Sequence, residues 1–342
     1  MIFSWQVQQW EQLCRLQKEE RLPHALLFTG PSGIGKRRLA LTFARLVLCQ
    51  QIKIKSLEYF DTLGVQGCQA SPQRVFENRI ACGRCHACCL MQAESHPDFR
   101  LVQPEQEDQA IKIDLIRELN QFISQTAHHG GYRVVLIQPA TAMNTAAANA
   151  LLKTLEEPAP RSLFILISDG RTKLPATIRS RCQELRFSLP SGEAALNWLA
   201  SQDPSLAWEP LLAATQGAPL LAQSWHREGV WPLYQQFMND LAGLTKQEVD
   251  PFQMAVQWKD TSLLWIFDLF FQWLLKLMRI QAFPDQAEDS LSLLSNRVSK
   301  TALLEFIDYL QQLRVEALGP YNLNQQLLLE SLFIRWIQYV SR

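Results

Sequence analysis

An apolar run, His24-Ala-Leu-Leu-Phe-Thr29, passes into Gly30-Pro-Ser-Gly33-Ile-Gly35-Lys36-Arg37 and then into a helical stretch from Lys36 to Cys49. A buried strand, a glycine-rich loop and a helix in that order leave few choices of fold. The glycines let successive backbone N–H groups turn inward around an anion, and the helix N-terminus adds positive potential. Gly30, Gly33, Gly35 and Lys36 are therefore candidate nucleotide contacts, with Lys36 expected to reach the outer phosphates. The chemistry of hydrolysis is missing from the same loop. Arg37 stands where a Ser or Thr hydroxyl would hold Mg²⁺. The later apolar run Arg133–Ile137 ends in Gln138 and Pro139, where a carboxylate should hold metal and orient water. No Mg²⁺ site is expected, and the loop reads as a relic that binds ATP weakly or not at all.

From Ala25 to about Arg186 short apolar runs alternate with helical stretches. Asp98–Gln103, Arg133–Ile137 and Ser162–Ser168 read as buried strands, and Ile113–Thr126 and Thr145–Glu157 as helices. That alternation predicts an α/β domain with a parallel sheet covered on both faces. Behind Leu189-Pro190 the character becomes wholly helical. The expected layout is an α/β domain over 1–189, a small helical domain over 190–228 and a larger helical domain over 229–342. The run Leu263–Met278 is strongly apolar, yet Asp268, Gln272 and Lys276 recur every four residues as a polar ridge. It reads as an amphipathic helix, since a membrane span needs about 20 residues almost free of charge.

Lys plus Arg and Asp plus Glu each count 33, so the net charge is zero and no general phosphate-binding surface is expected. The start, Met1-Ile-Phe-Ser-Trp-Gln, shows neither a basic leader nor a cleavage site. A cytoplasmic location follows, and the eight cysteines are expected to be thiols or metal ligands. Cys82-Gly-Arg-Cys85-His-Ala-Cys88-Cys89 offers three thiolates at the two-residue spacing that wraps one tetrahedral metal. The fourth ligand is Cys49 or Cys68. An iron–sulfur cluster fits less well, because its run needs a cysteine at position 92, where Gln stands. Cys89 is expected to be a small buried residue, and His86, His128 and His129 to lie on the surface or in turns.

Two further stretches carry a resemblance. The helix Asn149-Ala-Leu-Leu-Lys-Thr-Leu-Glu-Glu-Pro158 and the triplet Ser180-Arg181-Cys182, together with the phosphate loop and cysteine module, are similar to the clamp-loader branch of the AAA+ ATPases. The likeness covers nearly the whole chain. It implies an AAA+ P-loop domain with an inserted zinc module, a small helical lid domain and a C-terminal all-helical collar. It implies zinc on Cys49, Cys82, Cys85 and Cys88. It implies a non-hydrolysing subunit of a five-membered ring that opens a sliding clamp and loads it on primed DNA, beside motor and clamp-opening subunits. Arg181 then acts in trans as an arginine finger on a neighbour's ATP, a role suited to a planar, permanently charged fork, the other reading being an internal salt bridge. Tyr321–Asn324 and the helix behind it resemble the family's last helix. There Leu328, Leu332 and Trp336, with Leu329, Phe333 and Ile337, form an apolar stripe for packing on other subunits or on the chain's own core. Trp265, Phe270 and Trp273 carry the same pair of alternatives. The stretch between Gln50 and Ala81 is longer than the family pattern.

Two other functions compete. One is an active motor ATPase of the same branch, against which Arg37 and Gln138-Pro139 argue. The other is a zinc-dependent nucleic-acid-binding protein, against which neutral charge and the lack of interleaved aromatic and basic residues around Cys82–Cys89 argue.

Overall fold

β1 (Ala25–Thr29), β4 (Phe99–Val102), β5 (Arg133–Ile137), β6 (Ser162–Ser168) and β7 (Gln183–Arg186) form a parallel sheet in the order β4-β5-β6-β1-β7. All residues of β5 and β6 are buried, as a sheet covered on both faces demands. Side chains alternate between two apolar layers. Leu26, Phe28, Val134, Leu136, Leu163 and Ile165 pack with Trp10 and Leu13 of the helix Val7–Lys18 and with Leu39, Ala40 and Phe43 of the helix Lys36–Leu48. Leu27, Val135, Ile137 and Phe164 pack on the opposite side, against Ile116 and Leu119 of the helix Ile113–Ser124 and Leu151 and Leu155 of the helix Thr145–Glu156. The α/β reading with a parallel sheet and a helical C-terminal region therefore holds.

Two strand features were not expected from the sequence. β7 is an edge strand with only Leu185 buried, so it presents no apolar run. The polar insertion carries a second, antiparallel sheet, β2 (Lys53–Ser56) with β3 (Glu77–Ile80), in which Lys53 stands opposite Ile80.

This computed structural model describes residues 2–56, 77–104, 109–128, 131–169, 174–282, 295, 298–317 and 324–340. Cys68, His129 and Tyr321–Leu323 lie outside the described residues, as does most of the long stretch between Gln50 and Ala81. Two compact units divide the chain, Met1–Trp225 and His226–Arg342. The first unit holds the sheet together with the helices Gly192–Gln202, Glu209–Ala214 and Pro219–Arg227, the last of which ends just past its border.

The second unit is helical throughout its described residues: Val230–Lys246, Pro251–Trp258, Leu263–Ala282, Lys300–Ala317 and Gln325–Val340. Its core is aromatic. Trp336 lies 4.9 Å from Phe306 and 5.6 Å from Phe270 between ring centroids. Its indole N–H donates to Thr245 Oγ1 at 3.0 Å, the partner a buried indole needs. Leu328, Leu329, Leu332, Phe333 and Trp336 are all buried, as are Phe270 and Trp273, so the apolar stripe of the last helix faces the chain's own core and not a neighbouring subunit. Trp265 is half-buried beside Trp258 and Phe237. On the polar ridge Asp268 pairs with Arg314 at 2.8 Å. Among the described residues no helix is long and apolar enough to cross a membrane.

Candidate functional site

β1 ends at Thr29, and the loop from Gly30 to Gly35 leads straight into the helix Lys36–Leu48. Two elements distant in sequence close on this loop. From one side Trp5 Nε1 and Gln6 Nε2 both donate to the Ile34 carbonyl, at 3.0 and 2.9 Å. From the other the Leu220 N–H donates to the Gly33 carbonyl at 2.9 Å. Gly33 has φ +73°, and a Cβ there would stand 2.6 Å from Leu221 Cβ; one on Gly35 would stand 2.6 Å from the Phe3 ring. Phe3 itself stacks on Trp5 at 4.7 Å and meets Trp198 edge-on at 5.4 Å, with the Arg38 guanidinium 4.8 Å from its centroid.

Lys36 is 5% exposed. Its ammonium turns inward instead of reaching out for phosphate, donating to the Gly30 carbonyl at 2.5 Å and to the Pro31 carbonyl. A buried cation must find such partners. Burial also lowers its pKa to about 8, with the charge of Asp169 pulling the other way. Arg37, the next residue, is exposed. Beside the loop lies a cavity of about 340 Å³, bounded among others by Gly30, Ser32, Asp169, Leu189, Gln216 and Leu221.

The cysteines form a second site. The Sγ atoms of Cys49, Cys82, Cys85 and Cys88 lie within 4.8 Å of one another, and all four residues are buried. The separations Cys49–Cys85 and Cys82–Cys88 are both 3.9 Å. Four thiolates about 2.3 Å from one tetrahedral ion stand about 3.8 Å apart, close to these two separations, so the set could hold a metal ion. The β2–β3 ladder makes this possible: it returns the chain to the end of the loop helix, where the Cys82 N–H donates to Cys49 Sγ at 3.2 Å. Further amides point at sulfur, from Arg84 and Cys85 to Cys82 Sγ at 3.4 and 3.2 Å. The Arg84 amide leads in holding the Cys82 thiol down to about 6, whereas burial pushes Cys88 up to about 12 and Cys49 upward as well. Such a set ionises together only beside a cation. Cys89, expected to be buried, is exposed, because the next position on a helix points about 100° away from its neighbour. His86 and His128 are exposed.

Arg181 follows the short helix Ala176–Arg179. Its Nη1 donates to the Thr177 carbonyl at 2.9 Å, and its Nη2 to Glu156 Oε1 at 2.5 Å. The Arg181 side chain is 33% exposed and that of Glu156 49% exposed. Sequence reading missed both this partner and the inward turn of Lys36. Glu156 lies inside the quoted helix motif, but no spacing rule connects it to Arg181.

Comparison with known proteins bears on the whole chain. A family profile described as DNA polymerase III, delta subunit, matches residues 5–71 and 68–191. A second, DNA polymerase III, delta subunit, C terminal, matches residues 228–338. The chain is 37% identical to DNA polymerase III subunit delta' of Pseudomonas aeruginosa over 347 aligned positions, covering 98% of this chain and 97% of that relative. It is 34% identical to the delta' subunit of Escherichia coli over 223 positions, covering 64% of this chain and 60% of the relative. It is also 33% identical to the tau/gamma subunit of Haemophilus influenzae over 172 positions, covering 50% of this chain and 21% of that protein.

Proposed function

The chain belongs to the family of DNA polymerase III delta' subunits of the clamp loader, and from that premise we propose that it is a ring component that hydrolyses no ATP of its own. In this reading it assembles with motor and clamp-opening subunits, helps load the sliding clamp on primed DNA and lends Arg181 to a neighbour's ATP site. The observation that carries it is the state of the phosphate loop. Lys36 donates to the loop's own carbonyls, Arg37 replaces the metal-binding hydroxyl, and Gln138-Pro139 offers no carboxylate. A loop so arranged lacks both the hydroxyl and the strand-end carboxylate that hold Mg²⁺ and orient water in a motor subunit.

Arg181 suits the opposite task. It is partly exposed and held by the carboxylate of Glu156, and a partly exposed pair of this kind is worth about 0–1 kcal/mol. A γ-phosphate carries more charge than a carboxylate and can take over the fork at little cost. Cys49, Cys82, Cys85 and Cys88 would hold zinc, which supplies no reaction step but binds the end of the loop helix to the β2–β3 ladder. In the second unit Phe252 and Val256, one turn apart and about half exposed at 52% and 50%, are available for neighbouring subunits.

The test is reconstitution with the other loader subunits. Arg181→Ala should leave assembly unchanged while ATP hydrolysis at the adjoining site falls by about a thousandfold, and Arg181→Lys should restore only part of it. Unchanged turnover with Arg181→Ala would remove the finger. Turnover of about 10 per second by the isolated chain, abolished by Lys36→Ala, would instead make it a motor.

A further inference from the structure

We propose that Asp169 is the resident anion of the phosphate loop, a carboxylate that faces the seat of a nucleotide's phosphates and keeps nucleoside di- and triphosphates out. The sheet sets its position. β1 and β6 are parallel neighbours with Thr29 opposite Ser168, so the next residues, Gly30 and Asp169, leave the sheet side by side. Both line the same cavity of about 340 Å³. The loop's cation, Lys36, is buried and already donates to Gly30 and Pro31, and the charge of Asp169 is the one that favours its protonated form. A phosphate arriving on the loop amides would meet this carboxylate across the cavity as a like charge. It would find Lys36 spoken for as well. This deepens the reading of a non-hydrolysing loop and rests on it, but it concerns ligand entry, not turnover.

The experiment is an equilibrium titration of the full chain with a fluorescent ADP analogue in EDTA, so that no Mg²⁺ takes part. Asp169→Asn removes the charge and keeps the shape, and should bind the probe at least about tenfold more tightly than the wild type. Against a Lys36→Ala background Asp169→Asn should give the same gain, because its origin is the removal of a like charge and not the loop cation. Equal affinities for wild type and Asp169→Asn would overturn the proposal, and so would a gain that Lys36→Ala abolishes. Asp169→Ser is measured in parallel with thermal melts. If neither neutral variant folds, Asp169 serves the fold and the proposal falls. Motor-like ATP turnover by the wild-type chain, measured separately, would overturn the reading of the loop itself.

Discussion

At the phosphate loop the lysine a ligand would use is engaged by the protein, and loop carbonyls are held from both sides. The Ile34 and Gly33 carbonyls accept bonds from Trp5, Gln6 and Leu220, and the Lys36 ammonium donates to loop carbonyls. At the cysteine cluster the reverse holds. Four sulfur atoms converge within 4.8 Å, supported by backbone amides, in a small cluster with Ala87 and little apolar material around it. One site keeps the outline of a binding loop and has turned its cation onto its own carbonyls. The other keeps its donors ready and has too small a core to hold itself together. The lesson is that motif geometry and ligand dependence are separate properties, and a chain of one ancestry can lose the first need and retain the second.

The largest effect should come from the cysteines. Cys85→Ser is expected to reduce zinc from one per chain to none and to lower the melting temperature by about 10 °C, since structural zinc supplies folding free energy outright. Cys89→Ser, at the exposed neighbour, should change neither. Full zinc content in Cys85→Ser, measured by metal analysis, would break the contrast.

A loop held from both sides should resist added volume. Gly33→Ala forces a Cβ against Leu221 at a positive φ and should cost about 2–4 kcal/mol in chemical denaturation. A cost of only about 1 kcal/mol would mean backbone strain alone and an open loop.

The smallest effect is a matter of pH. Lys36 has its pKa lowered by burial from 10.5 to about 8. Between those values the folded chain keeps the amine neutral while the unfolded chain protonates it. The unfolded state then binds more protons, so stability rises with pH across that window. Lys36→Met should lack this rise, and parallel stability curves for the two proteins would place the Lys36 ammonium in water.

Much of this was legible in the sequence. β1, β5 and β6 are apolar runs that only a doubly covered sheet explains, whereas β4, expected to be buried, is an edge strand burying only Val102; the glycine spacing marked the loop between strand and helix. What escaped has physical reasons. β7 buries only Leu185, so an edge strand reads like a polar connection. Periodicity reveals that the last helix has an apolar face but not what that face meets, and Leu332 and Trp336 meet their own chain. The inward turn of Lys36 goes with its burial, a property of the whole fold that no local window contains. Spacing left both Cys49 and Cys68 open; the β2–β3 ladder brings Cys49 to the cluster, while Cys68 lies outside the described residues.

That ladder has a consequence of another kind. Because Lys53 stands opposite Ile80, the chain enters and leaves the insertion through a single gate. The entropic cost of closing the length between Ser56 and Glu77 grows by only about 0.6 kcal/mol for each doubling. A lineage can lengthen or trim this segment, and an experimenter can splice a fluorescent reporter into it, with the parallel sheet left as it stands.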